Sequence, residues 1–448
     1  MKTLALISAL LFCSFSVSAN DFAAQFGFQG ESSIPQDGAP SSVAIPLEKT
    51  NELPVLNVLV FPHTLKNDWL HGVPDDASQV ELRSEHSIRF EIAGNYYRSS
   101  NFKLRMSGSR IKATLLDGRV LYFTKANIIA DGPVKVHRVL SPDKSHTYLG
   151  TFTIDVKDRG IQVINHVDLE TYLRGVVPKE SVASWPLEAL KAQALAARSY
   201  AYYHYLTAPS GRAHHVDDTA RFQVYAGHSG SDTRTDVAVE QTRGEIMTYQ
   251  GQVIVAYFHA YSGGRTDSAL NIFKQDNVPY CVGNAEIFPR DELSDELAAG
   301  SRWIVNWTTD AYSSAALLSE FKESSRVGSR FTDFSRSANV ELEETEINDL
   351  FDSVKVMTVV QADTNKEAVL DFTEVRSALG WSNFPGYHFR VDNTDEGFVF
   401  KGSGWGHHVG LSQWGAFIMA KNYSKTYRDI VLHYYNDVEV QRMPWSQL

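Results

Sequence analysis

The stretch from Tyr172 to Tyr203, YLRGVVPKESVASWPLEALKAQALAARSYAYY, sets one carboxylate, Glu180, just ahead of a run of strong helix formers. Within that run Lys191 and Arg198 are seven residues apart, two helical turns, so they share a face. One acid beside two fixed cations is an arrangement suited to acid–base work on a polar substrate. Pro178 fixes its own φ and restricts Val177, so a rigid turn after a strand-like run is expected to carry Glu180. Val176, Val177 and Trp185 offer apolar walls. A carboxyl desolvated there stays protonated near neutrality, the state a general acid needs. A close cation would hold it ionised instead. At least one of Lys191 and Arg198 is therefore expected to contact a sugar or another acid; Asp168 and Glu170 are the nearby candidates. The competing reading makes Glu180 a helix cap or a partner of Lys191.

Two further clusters carry chemistry-bearing side chains. In AYFHAYSGGRTD, Tyr257 and His259 are two apart and face the same way on a strand, and Ser262 opens a Gly-Gly turn. An aromatic body with a hydroxyl plus an imidazole suits a sugar-binding wall; a buried, hydrogen-bonded pair is the alternative. In GSGWGHHVGLSQWGA, Trp405, His407, Ser412 and Gln413 sit among glycines that allow close backbone approach. These side chains either line a groove or support one.

Other chemistries find less support. His214, His215, His228, His407, His408 and His433 invite a zinc reading, but there is no HExxH and no paired cysteine, so no metal and no cofactor is expected. No GxSxG is present.

These residues need elements to hold them. The helix is expected to start with Ser184 as N-cap and Pro186 in its first turn, and to run without Gly or Pro until Pro209. Its many alanines imply a helix buried against close neighbours. From Leu53 to about Val167, short apolar runs alternate with turn signals such as Asp117-Gly118 and Arg159-Gly160, which predicts antiparallel strands. After a polar loop, residues 237–267 read as helix, strand, a hairpin at Gln250-Gly251, strand, and a Gly-Gly turn. A further helix is expected to enter near Ser313. The fold class is α+β: antiparallel β-rich domains packed around a buried Ala-rich helix, with a groove at the helix N-terminus.

The chain opens with Lys2, an apolar run and Val-Ser-Ala before Asn20, which reads as a secretory signal over residues 1–19. The apolar run is too short for a stable span, and no later segment is apolar enough for one. A lipoprotein at Cys13 is disfavoured by the bulky Phe12 before it. Removing the signal takes away Lys2 and Cys13, so the net charge of −11 becomes −12 and Cys281 stands alone, without a disulfide partner. The acidic balance argues against nucleic-acid binding. Expected boundaries are a signal peptide at 1–19, a flexible leader at 20–50, an N-terminal β-rich region at 51–140 and a catalytic domain at 141–448, with a less distinctive segment at 285–370.

Taken together, VVPKESVASWPLEALKAQALAARSYA, YFHAYSGGRTD, GSGWGHHVGLSQWGA and YRDIVLHYYND, in that order, resemble the signature of the stage II sporulation protein D family. The resemblance implies a peptidoglycan lytic transglycosylase with Glu180 as the catalytic glutamate. It implies a groove that includes Lys191, Arg198, Tyr257, His259, Ser262, Trp405, His407 and Gln413. His408 departs from the pattern, which has glycine there. Some members carry a zinc site of His and Cys after the helix; here that loop reads HHVDDTARFQVYAGH, without cysteine, so the site does not carry over. Peptidoglycan glycan strands are the implied partner, with other cell-wall hydrolases as further partners, and the location is exported, in periplasm or cell-wall space. Two rival classes stay open: a non-catalytic peptidoglycan-binding protein or enhancer of a cell-wall amidase, and a hydrolase using the same groove, with Asp168, Glu170 or Asp217 as second carboxylate.

Overall fold

The computed structural model describes residues 51–62, 77–140, 142–297, 304–380 and 383–447. The signal peptide and the leader expected over 1–50, Cys13 included, lie outside the described residues.

The described residues between 55 and 168 are mostly β structure, as their alternating pattern requires. The strands are β1 (Val55–Phe61), β2 (Gln79–Ile92), β3 (Asn95–Ser107), β4 (Arg110–Leu115), β5 (Val120–Phe123), β6 (Lys125–Ala130), β7 (Val134–His137), β8 (His146–Tyr148), β9 (Thr151–Lys157), β10 (Gly160–Asp168) and the short β11 (Val216–Asp217). They form one 11-stranded sheet with the path β11-β1-β10-β9-β6-β2-β3-β4-β5, and β7 and β8 branch from β2. Pairing is antiparallel except between β1 and β11. The boundary expected at residue 140 falls inside this sheet, because β9 and β10 pair with β6 and β1. In β4, buried Ile111, Ala113 and Leu115 alternate with outward residues, the period of a half-buried strand. The second expected turn shifts by one residue: Asp158 and Arg159 take the left-handed φ values, 49° and 65°, and Gly160 already belongs to β10.

Helices follow the sheet: α1 (Leu169–Glu180), α2 (Leu187–Thr207), α3 (Thr233–Gln241), α4 (Ala269–Phe273), α5 (Arg290–Glu296), α6 (Ser314–Glu323), α7 (Phe372–Leu379), α8 (Gln413–Asn422) and α9 (Tyr427–Tyr434). Between them run β12 (Glu245–Tyr249), β13 (Gln252–Val253), β14 (Phe258–His259), β15 (Asn306–Thr308), β16 (Val340–Asn348), β17 (Ser353–Gln361), β18 (Lys366–Asp371), β19 (His388–Thr394), β20 (Gly397–Ser403) and β21 (Leu411–Ser412), with β22 (Val438–Arg442) last. Short sheets pair β12 with β13 and β22, β14 with β21, β20 with β15 and β19, and β17 with β16 and β18. The fold is α+β. The helix expected near Ser313 is α6, capped by Ser313 Oγ.

Two sequence expectations are corrected around Glu180. The run before it is helical, not a strand and turn. Asp168 ends β10 and accepts from Thr171 N at 2.9 Å, and this N-cap launches α1 with Glu170 in the first turn. Pro178 falls in the last turn, where it costs one backbone bond without stopping the helix before Glu180. The second correction concerns α2, which starts at Leu187 with Pro186 as N-cap and no side-chain cap, rather than at Ser184. Fourteen of its 21 residues are buried, in keeping with its alanines. Among the described residues no helix is long and apolar enough to cross a membrane.

Candidate functional site

Glu180 is the last residue of α1 and is 6% exposed. Its Oε1 accepts from the Val224 amide at 2.8 Å, and its Oε2 from Gln413 Nε2 at 3.5 Å. Among the described residues no cation pairs with it. Burial pushes its carboxyl up from 4.5 to about 7, against the smaller opposite pull of those two donors. The position also lies at the carbonyl end of α1, where the helix dipole offers no positive charge.

The segment that supplies Val224 is tied down at several points. Ala226 N donates to Gly175 O at 3.1 Å, and a Cβ on Gly175 would meet Gly227 O at 2.7 Å, so only glycine lets the loop lie this close to α1. Gln223 Nε2 donates to Ala197 O at 3.2 Å, joining the loop to α2. Arg138 reaches from the end of β7 to Asp218 Oδ2 at 2.7 Å and Val60 O at 2.8 Å, joining it to the sheet.

The two cations on α2 are both diverted from Glu180. Arg198 is fully buried and forks onto Glu170, Nε to Oε1 at 3.0 Å and Nη2 to Oε2 at 2.9 Å. It also donates to Thr242 Oγ1 and Val239 O, which makes it a brace between α1, α2 and the end of α3. Lys191 pairs with Glu188 on its own helix, and its ammonium lies 4.7 Å from the Tyr427 ring centre. The seven-residue spacing therefore places both on one helix without bringing both to one acid.

Tyr257, His259 and His407 do come together. The His407 ring lies 6.0 Å from Tyr257, 5.4 Å from His259 and 5.2 Å from Phe273, centre to centre. The expected strand around Tyr257 is mostly irregular; only Phe258–His259 pairs, in parallel, with Leu411–Ser412. That pairing links the clusters, because Gln413 directly follows Ser412 and contacts Glu180. The glycines of the Trp405 loop back onto Tyr257–Gly263 rather than onto α1 or α2. A Cβ on Gly410 would stand 2.1 Å from Tyr257 O. Trp405 exchanges backbone hydrogen bonds with Tyr261, at 2.8 and 3.0 Å. Ser262 donates to the buried Glu286 at 2.5 Å, and Tyr434 holds that carboxylate from the other side.

His408 adopts φ 60°, the left-handed region in which glycine is free of strain. Its ring is fully buried, 4.7 Å from His388 and 5.7 Å from His259. Burial lowers all four imidazoles, His388 and His407 to about 3 and His259 and His408 well below 6.5. Among the described residues neither His408 nitrogen has a hydrogen-bond partner, nor do His259 Nε2, His388 Nε2 and Asp267 Oδ2, the last two standing 4.0 Å apart. Among the described residues no three His, Cys, Asp or Glu side chains are arranged to hold a metal ion. His214 and His215 lie beside β1, where His215 Nδ1 accepts from Asn57 N at 2.9 Å.

The three candidate second carboxylates separate clearly. Asp168 caps α1 and Glu170 holds Arg198. Asp217 remains, 4% exposed, with its carboxyl pushed by burial up to about 6 against donors from Thr219. Burial raises the Tyr172 and Tyr200 phenols, and the charges of both Glu180 and Asp217 add to that rise. Glu286, His388 and the Val224 amide were not singled out in the sequence; none lies within a recognisable motif.

Gln413 thus joins the buried acid Glu180 to the strand pair that carries His259, on an α+β frame. The chain is similar to known proteins. The sequence profile described as Stage II sporulation protein matches residues 157–249. An uncharacterised protein of Brachyspira hyodysenteriae is 35% identical over 290 residues, covering 62% of this chain and 68% of that protein. The stage II sporulation protein D of Bacillus subtilis is 29% identical over 296 residues, covering 62% and 76%. The amidase enhancer of Bacillus subtilis is 30% identical over 294 residues, and the match spans 59% of this chain but 39% of that protein. The chain belongs to the stage II sporulation protein D family.

Proposed function

We propose that the chain acts on the cell wall as a peptidoglycan lytic transglycosylase, cleaving the β-1,4 bond between N-acetylmuramic acid and N-acetylglucosamine. The observation that carries this reading is Glu180: buried, free of cations and raised to about 7, it holds a proton for much of the time at neutral pH. Its proton passes to the glycosidic oxygen as the bond to muramoyl C1 breaks. The resulting carboxylate takes the proton of the muramoyl C6 hydroxyl as that oxygen closes on C1. A 1,6-anhydro end forms, Glu180 regains its proton, and no water is consumed. An internal nucleophile removes the need for the second carboxylate of ordinary glycosidases. Gln413 orients Glu180, and the half-buried Trp405 ring is the surface against which sugar lies, with the buried Tyr257, His259, His407 and Ser262 fixed behind it. Arg198 acts by fixing α1 to α2, and Lys191 meets substrate only by giving up its pairing with Glu188. Such work places the chain outside the cytoplasmic membrane, and the relative named amidase enhancer supports other wall hydrolases as partners.

Asp217 favours a second reading, hydrolysis, because a second buried acid near the same tyrosines offers a base for water. Mass spectrometry of digested peptidoglycan separates the two. Anhydro ends that vanish in Glu180→Gln support the lyase, and reducing ends support the hydrolase. Undigested but bound sacculi would leave a binding protein or amidase enhancer.

A further inference from the structure

The outer face of β3, β4 and β5 lies apart from every residue given a role above, and its charge runs against the rest of the chain. Residues 77–137 carry ten Lys and Arg against five Asp and Glu, net +5, within a chain of net −11. Phe102, Leu104, Ile111, Ala113 and Phe123 turn inward on these strands. Lys103, Arg105, Arg110, Lys112 and Tyr122 alternate with them and turn outward. In register, Arg105 stands opposite Lys112, and Lys112 opposite Tyr122. The Arg110 guanidinium lies 5.3 Å from the centre of the Tyr122 ring, which is 48% exposed.

Two features distinguish this face from an ordinary solvated one. Like charges directly opposite on neighbouring strands repel, so the Arg105–Lys112 pair costs stability. The nearby acids do not relieve it: Glu81 is taken by Arg83 and Asp117 by Arg119. Among the described residues Lys103, Arg105, Arg110 and Lys112 form no ion pair. Four unpaired cations around an exposed aromatic ring match a ligand that offers carboxylates beside sugar faces.

We propose that this face binds the carboxylate-bearing glycan polymer of the wall at a distance from Glu180, holding an acidic protein on a polyanionic substrate. This rests on the proposed cell-wall role. A protein of net charge −11 is repelled by such a polymer at long range, and a cationic patch on the sheet edge reverses that locally. The ring of Tyr122 covers the apolar face of a sugar, and the cations meet carboxylates of the peptides that the glycan carries.

The test uses the full mature chain carrying Glu180→Gln, so that the polymer stays intact. Co-sedimentation is measured with purified sacculi stripped of phosphate-containing polymers by hydrofluoric acid. Lys103→Gln/Arg105→Gln/Lys112→Gln is expected to weaken binding about tenfold and to flatten its dependence on salt. Tyr122→Ala is expected to weaken binding while leaving the salt dependence unchanged. Amidating the carboxylates of the sacculi should reproduce the triple variant's loss with the unaltered face. Equal affinity and equal salt slope for the triple variant, with an unchanged melting curve, would overturn the proposal. So would a change confined to self-association in sedimentation velocity, which would assign the face to a second copy. Absence of new glycan ends with wild-type protein would overturn the transglycosylase reading and leave this one standing.

Discussion

Glu170 and Glu180 are buried carboxylates on the same helix, ten residues apart, at opposite ends of α1. Glu170 sits in the first turn, where the dipole favours a negative charge, and Arg198 forks onto it. Glu180 ends the helix and receives one backbone amide and one long contact from a neutral amide. One end is a structural ion pair and the other a desolvated acid. The difference teaches how two cations on the neighbouring helix can leave a buried acid unpaired. Arg198 is consumed by Glu170, and Lys191 by Glu188 and the Tyr427 ring. The Glu180 carboxyl is held up by burial because the neighbouring cations are already bound elsewhere.

The largest test of that contrast is Glu180→Gln. Activity on peptidoglycan should fall at least about 10²-fold, the usual scale for loss of a positioned acid. Stability should move the other way. The folded state holds the Glu180 proton more tightly than the unfolded chain, with values of about 7 against 4.5, so this group favours the folded state at low pH. The advantage fades as pH rises from 4.5 and is gone above 7, where an ionised carboxylate stays buried. Glutamine removes that burden, so urea denaturation at pH 8 should find the variant more stable by about 1–3 kcal/mol. A variant that loses stability at pH 8 would mean that Glu180 is an ionised structural anchor like Glu170.

Arg198 sharpens the comparison from the other end. Arg198→Met leaves Glu170 buried without its partner and should cost about 3–5 kcal/mol in denaturant unfolding. Adding Glu170→Met should recover much of the loss, because breaking the pair is what is costly. Lys191→Met removes a partly exposed pair and should cost under about 1 kcal/mol. If both single variants cost the same, the reading of α1 as having one braced end fails.

Much of this frame was legible in the sequence. Alanine spacing gave the buried α2, and Ser313 and Gln250-Gly251 marked a cap and a hairpin that are present. Glu180, Gln413, His259 and His407 stood out because each lies in a contiguous stretch of distinctive residues. What was not legible depends on pairing across the chain. Glu286 meets Ser262 only because two loops close on each other, and His388 reaches His408 from β19. The strand-and-turn reading before Glu180 failed because Val176, Val177 and Pro178 outweighed a single cap residue, Asp168. Nothing in a linear pattern says that the polar end of a strand will start a helix.

The imidazole cluster gives the comparison a counterweight of opposite sign. His259, His388, His407 and His408 all take up protons less readily folded than unfolded. Their contribution to stability is complete above pH 6.5 and is lost as pH falls below it. Between pH 6.5 and 4.5 each imidazole works against Glu180 with about 1.4 kcal/mol per pH unit. Four outweigh Glu180 and Asp217, so stability should fall steeply below pH 6. His388→Gln should flatten that slope by about 1.4 kcal/mol per unit, read from urea midpoints at pH 6.5 and 5. An unchanged slope would mean that the cluster accepts protons without opening.

A small effect lies at His408, where side chain and backbone can be separated. Its φ of 60° is free of strain only for glycine, and its ring nitrogens are buried without partners. His408→Ala and His408→Gly both remove the ring, but only glycine removes the backbone strain. The glycine variant should therefore exceed the alanine variant by about 1 kcal/mol in thermal or urea unfolding. Loss of the ring leaves the same space in both, so the difference reports the backbone alone. If alanine matches glycine, the strain at His408 is absorbed elsewhere in the Trp405 loop, and the loop is softer than its tight contacts with Tyr257 suggest.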